Sequence, residues 1–458
     1  MKKTKKIFSG NLANNSFIIL LVIAGILLIT IFALWFSRTG RFTPQKAFET
    51  DRSADLSGQK ITVLTNQPHL RSAEALAMWF NRETGAVVQN VVVNYEETLN
   101  YILKDVLGDS PQLDVLMIWY ADLGTLAEKN VITDLTDFRN KNREIIRPDD
   151  FIPSLYTPYT LYKGRRWALP YDGDTHVLFY RKSLLKKYDL APPGTWEDYA
   201  AISRVITEKE KHNGIYGSVI MAFPAPMLII SGFMNRLGGY GGNLLDQENR
   251  PMVNSPEAVA ALSIMIENAR YALPTPLETD FDISKDAFLS GRVAMAEQWT
   301  DVGIMAEDPA QSLIRGDWGV IQIPMGSGAG ARHAPALNAG FSLAISKKAP
   351  NTDVALSYLL FATRPDITLR LNLINGGIDP TRISVFESEK YRDFAPKISI
   401  AARAALHGAA AWPNIPMTPR LLDALSNNLV MALEHRKSAR QALDDTQTHW
   451  LEILKQGE

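Results

Sequence analysis

The chain has 458 residues, 46% hydrophobic and 21% charged, the make-up of a globular protein long enough for two lobes of ordinary domain size. Its formal net charge of −1 supplies no basic field to hold nucleic acid. The absence of cysteine excludes disulfides, thiolate nucleophiles and cysteine-ligated zinc.

Residues 17–36 carry no charge, and Thr30 has the one side-chain hydroxyl among them. As a helix rising ~1.5 Å per residue, this run spans the ~30 Å hydrocarbon core of a bilayer. Lys2, Lys3, Lys5 and Lys6 precede it, while Arg38 and Arg41 follow. That bias puts residues 1–16 in the cytoplasm and the bulk of the chain outside. Trp35 and Phe36 stand where a signal-peptidase site wants small residues, and no cysteine is available for lipidation. The expectation is an uncleaved single-pass anchor in the cell membrane, a polar linker over 37–57, and an extracytoplasmic domain over 58–458.

That domain alternates strands and helices. Residues 61–64 are mostly β-branched and end in a loop, 65–69; a helix follows, capped by Ser72, with Leu76, Trp79 and Phe80 on one face and Gly85 as its stop. Strands are predicted at 91–93 and at 113–119, the latter near-continuously apolar, as in a sheet covered on both faces. Residues 167–171 and 176–180 read as two strands broken by Asp172-Gly173-Asp174, where a flexible glycine suits a hinge. Ser255 caps a helix opened by Pro256, with Val259, Leu262, Ile266 and Ala269 in one stripe. Strands at 318–324 and 341–346 flank a Gly/Ala/Arg/His loop. Ser438 caps a last helix presenting Leu443, Trp450, Leu451 and Leu454. Such alternation over about 400 residues argues an α/β architecture.

The residues offer little catalytic chemistry. No two of the seven histidines stand at metal-binding i, i+4 spacing, so no metal site is expected. Ser183 and Lys186 form S-x-x-K without its companion motifs, and the glycine-rich loops at 238–242 and 326–330 match neither a P-loop nor a dinucleotide fingerprint. No catalytic residue and no cofactor are assigned. Asp172 and Asp174 point the same way from an extended segment, at a spacing a glycosidase pair or a pair of sugar-hydroxyl acceptors could use.

Six segments in order carry a resemblance: YDGDTHVLFYRK (171–182), PGTWEDY (193–199), NSPEAVAAL (254–262), FLSGRVAMAEQW (288–299), AGFSLAIS (339–346) and GGIDPTR (376–382). Together they resemble the family 1 extracellular solute-binding proteins, sugar-binding subunits of bacterial ABC importers related to maltose-binding protein. Relatives usually carry a cleaved signal or a lipoprotein cysteine, from which this chain departs.

The resemblance implies a two-lobed periplasmic-binding-protein-like fold of type II with a ligand cleft between the lobes. It implies crossings near 170–174, 319–324 and Ser346, an N-lobe of about 58–170 plus 322–345, and a C-lobe of about 175–320 plus 347–458. It places a stacking aromatic at Trp299 and hydroxyl-binding acids at Asp172 and Asp174, with Trp119, Tyr171, Asn338, Phe341, Gly376 and Trp412 as further ligand-binding candidates. The expected ligand is a sugar or polyol, Arg332 and His333 leaving room for a phosphorylated one. The expected partners are ABC permease subunits. A membrane-anchored sensor acting through a partner kinase, and a glycan hydrolase, are the competing functions.

Overall fold

A computed structural model of the chain describes residues 55–374 and 377–456. The expected membrane span, the cytoplasmic segment and most of the linker lie outside the described residues. Among the described residues no helix is long and apolar enough to cross a membrane.

Two sheets organise two lobes. The first lobe is built on β1 (Lys60–Asn66), β2 (Val87–Val93), β3 (Val115–Trp119), β6 (Leu169–Asp172) and β11 (Phe341–Ile345), in the order β2-β1-β3-β11-β6. β1 runs parallel to β2 and β3, whereas β11 is antiparallel to both β3 and β6. The second lobe is built on β7 (His176–Arg181), β8 (Tyr216–Val219), β9 (Val293–Trp299) and β10 (Trp318–Ile321), in the order β10-β7-β9-β8. β4 (Leu161–Tyr162) and β5 (Arg165–Arg166) pair as a small hairpin.

The near-continuous apolar run of β3 has the expected cause. Val115 and Met117 pack into one layer with Ile61 and Leu343, while Leu116 and Ile118 face the other layer with Leu64 and Ala344. Both faces are covered, so alternation with polar residues would leave buried polar groups without partners.

Two local expectations shift. The first helix is Leu70–Thr84, starting two residues before Ser72, because Asn66 at the end of β1 already caps a 3-10 turn, Gln67–His69, through its side-chain oxygen. Gly85 ends that helix in the left-handed conformation at φ 81°. The last helix, Ala439–Lys455, has the predicted Ser438 cap as a full capping box with Gln441. Leu443 and Trp450 are buried in it, but Leu451, at the flank of that stripe, is exposed.

The third crossing differs from expectation. The helices Thr352–Thr363 and Pro365–Asn372 stay on the first lobe: Val354, Tyr358 and Leu359 pack with Ile61 and Phe80, and the Tyr358 ring meets Phe80 edge-on at 5.2 Å. The first sheet needs this cover for its apolar layer. The chain therefore changes lobe after Asn372, not near Ser346, and the helix Pro396–His407 packs on β7 and β10. Residues 347–372 belong to the first lobe.

An ion pair sits in the core of the second lobe. The fully buried Arg236 guanidinium donates to both carboxylate oxygens of Glu297 on β9, at 2.7 and 3.1 Å, and to Asn268 at 3.0 Å. It also lies 4.1 Å over the Trp196 ring. The guanidinium fork and the carboxylate are matched, so neither charge is left uncompensated in the core.

Candidate ligand site between the lobes

The first link between the sheets is Gly173–Asp174–Thr175, joining β6 to β7. It docks on residues 378–380: Gly173 N donates to Asp379 O at 3.1 Å, and Asp379 N donates to Asp172 Oδ1 at 2.7 Å. A Cβ on Gly173 would lie 2.2 Å from Pro380 O. Glycine is required here for close backbone approach, rather than for the flexibility expected of a hinge.

This docking gathers four aspartates. Asp172 is 1% exposed, and its Oδ2 lies 3.4 Å from His69 Nε2 without forming a hydrogen bond. Asp174 feels the repulsion of the neighbouring Asp379 carboxylate. Thr300, just after β9, donates its hydroxyl to Asp379 Oδ1. Asp301 follows, its Oδ1 buried without a partner. Burial is the main cause of the raised pKa values here, followed by mutual repulsion. Asp174 and Asp379 sit well above the ordinary carboxyl range, and Asp301 is pushed up to about 6. Burial and repulsion together favour the protonated form of these carboxyls unless a positive charge compensates them.

Aromatic rings wall the cluster. Tyr171 and Phe341 meet the His69 ring edge-on at 5.9 and 5.0 Å. Trp299 closes β9 opposite His176, whose ring it meets edge-on at 4.5 Å, and Phe281 lies 5.4 Å away on another side. Trp299 is 6% exposed, and its indole N–H has no partner. Burial, with the nearby Arg236 charge, pushes His176 down to about 3, so its ring is neutral. Asn235 Nδ2 is 2.9 Å from His176 Nδ1 and 3.2 Å from Glu297 Oε2. An amide donor there makes Nδ1 the acceptor and puts the ring proton on Nε2, which is buried and unpartnered.

The remaining candidates form a second group around the end of β3. The Trp119 indole N–H donates to Asn338 O at 3.1 Å, and its ring meets Trp412 at 5.3 Å. Asn338 is fully buried with both side-chain amide atoms unpartnered. Phe341 links the groups, pairing in register with Trp119 on one side and Asp172 on the other. Trp412 is buried and lines a cavity of about 480 Å³ with Pro153, Pro158, Leu244 and Asn414. None of the four aspartates lines that cavity, so Trp412 stands apart from them. Gly376 lies outside the described residues.

Sequence reasoning missed His69, Thr300, Asp301 and Asp379. Two signals lay close by: Thr300-Asp301 directly follows Trp299, and Asp379 lies inside GGIDPTR. It also missed Asp122, three residues past Trp119 and buried, whose carboxyl burial pushes up to about 7. Among the described residues no group of three or more His, Asp or Glu side chains is arranged to hold a metal ion.

Comparison with known proteins agrees with this architecture. A probable amino-acid ABC transporter periplasmic-binding protein of Sinorhizobium fredii is 24% identical over 417 residues, 88% of this chain and 92% of its own length. A maltotriose-binding protein of Pyrococcus abyssi is 25% identical over 350 residues, 71% of this chain and 68% of its own. Among solved structures, an ABC transporter solute-binding protein of Agrobacterium radiobacter in complex with ribitol superposes with a TM-score of 0.77 at 24% identity, covering 86% of this chain and 98% of its own. A maltose-bound protein of T. maritima does so with 0.77 at 23%, covering 86% and 99%. At these identities the likeness is one of fold, the two-lobed α/β architecture of periplasmic binding proteins. The family profile described as bacterial extracellular solute-binding protein matches residues 66–368, and the chain belongs to that family.

Proposed function

We propose that this chain is the solute receptor of an ABC uptake system, taking a sugar or polyol between its lobes and passing it to membrane permease subunits. One observation carries the reading. Where the lobes meet, polar atoms of Asp172, Asp174, Asp301, His176, Trp299 and Asn338 are buried without protein partners. Buried polar groups are satisfied in nearly all proteins, so a convergent set of orphans fits a hydroxyl-rich solute. In this reading Asp172, Asp174 and Asp301 accept hydroxyls, and His176 Nε2 and Trp299 Nε1 donate. Tyr171, Phe341 and Trp299 supply apolar faces, with Trp119, Asn338 and the segment at Gly376 further along the cleft. The solutes of relatives, ribitol, maltose and maltotriose, agree in kind. The uncharged run at 17–36 would tether the receptor beside its permease.

Binding rather than hydrolysis is favoured by the match of residues 66–368 to a family of solute-binding proteins.

Titration calorimetry with ribitol, mannitol and maltose tests the reading. Trp299→Ala should weaken whichever solute binds by about 10- to 100-fold, through lost apolar contact and a lost donor. Trp299→Phe, which keeps a ring but drops the N–H, should lose an intermediate amount. Unchanged affinity in both variants would overturn the placement of the site.

A further inference from the structure

We propose that the solute carries a protonated amine, as an amino sugar or amino polyol does, and that Asp172, Asp174, Asp301 and Asp379 receive it. This rests on the reading of the interlobe site given above and narrows the ligand class within it.

Charge is out of balance at this site. Four carboxyls converge from three places in the chain: the link after β6, the end of β9, and the segment 378–380. Against them stands little positive charge. Among the described residues Asp172 faces only His69, at 3.4 Å, and no lysine or arginine pairs with Asp174, Asp301 or Asp379. Lys285 reaches Asp301 only through its longer-range field, and is engaged by Asp282 at 2.6 Å and Asp286 at 3.7 Å. The two buried guanidiniums among the described residues, Arg236 and Arg382, are taken up by Glu297 and Asp150.

The site can balance its charge by holding protons or by taking up a cation. A neutral polyol would leave the first as the only option, with carboxyls acting partly as donors. An ammonium offers three donors and a full charge to acceptors that otherwise repel one another. No arrangement for a metal ion exists there among the described residues, which points to an organic cation.

Further orphaned groups stand beside the aspartates. The Tyr159 hydroxyl is fully buried, has no partner, and lies in the field of Asp172, Asp174 and Asp379. The Trp299 indole N–H, next to Thr300 and Asp301, is likewise buried and unpartnered. These groups leave acceptors and donors for the hydroxyls of the same solute. The rings of Tyr171, Phe341, Trp299 and Phe281 add faces to which a cation is attracted. The ligand is thus read as amphipathic: hydroxyls and a carbon skeleton against the rings and amides, one ammonium against the aspartates.

Matched probes test this on the full-length protein at pH 7. Titration calorimetry compares D-glucitol with 1-amino-1-deoxy-D-glucitol, and D-glucose with D-glucosamine. At least one amine should bind about tenfold or more tightly than its neutral partner. Asp301→Asn should reduce that preference about tenfold, and a thermal melt shows whether the variant is folded. The wild-type comparison stands without the variant. Equal or tighter binding of the neutral probes, weakened by Trp299→Ala, would overturn the amine and leave the interlobe site in place. A preference for the amine that persists in folded Asp301→Asn would overturn the role given to the aspartates. Silence from all four probes would overturn both readings.

Discussion

Glu297→Gln is the sharpest probe of how the second lobe supports the site. The substitution keeps shape and most hydrogen bonds but removes the one charge that compensates Arg236. The Arg236 guanidinium has no exposure, and it donates to Glu297 at 2.7 and 3.1 Å. Leaving such a cation unpaired should cost about 3–5 kcal/mol. Arg236→Met should cost a similar amount, by stranding the Glu297 carboxylate. The double variant removes both charges, so its loss should be clearly smaller than the sum of the two, a coupling of several kcal/mol. Urea unfolding followed by tryptophan fluorescence measures all three. The effect should reach the ligand, because Asn235 lies between Glu297 and His176 and fixes the ring beside Trp299. If the single variants each lose less than about 1 kcal/mol, or if the losses simply add, the pair does not balance a buried charge and the reasoning fails.

Two further outcomes follow from the same geometry. Asp301 holds its proton to about pH 6, above an unfolded value near 3.8, so the native state binds protons more tightly between those values. Stability should therefore fall as pH rises from about 4 to about 6, and Asp301→Asn should flatten that slope in pH-dependent urea unfolding; an unchanged slope would remove Asp301 from the cause. Gly173→Ala drives a Cβ to within 2.2 Å of Pro380 O and 3.0 Å of Leu155 Cδ1, and should cost about 1–3 kcal/mol while disturbing the Asp172–Asp379 contact. Wild-type melting temperature and affinity in this variant would refute the close approach.

The α/β alternation was legible because burial on both faces imposes a pattern on neighbouring residues. The run at β3 and the caps at Ser255 and Ser438 are local rules, each satisfied within a few residues. The first helix shows the limit: Ser72 satisfied the local rule for a cap, but Asn66 had already started the turn that feeds the helix. The assignment of residues 347–372 failed for a different reason. Their amphipathic helices fit either lobe by periodicity alone, and only the uncovered layer of Ile61 and Phe80 decides which.

The candidate site divides along the same line. Sequence alone determined that Tyr171, Asp172, Asp174 and Trp299 belong to segments with a shared family pattern, since those residues stand inside contiguous motifs. It could not show that Asp379, 207 residues beyond Asp172, would donate its backbone N–H to that carboxylate. Nor could it show that His69 would stand before Asp172, or that Trp412 would face a separate cavity. Hydrogen bonds within a helix or cap follow from spacing along the chain. The repulsion among the carboxyls and the burial that raises the proton affinity of Asp174, Asp301 and Asp379 depend on distances across the chain, and those exist only once both lobes have folded and met.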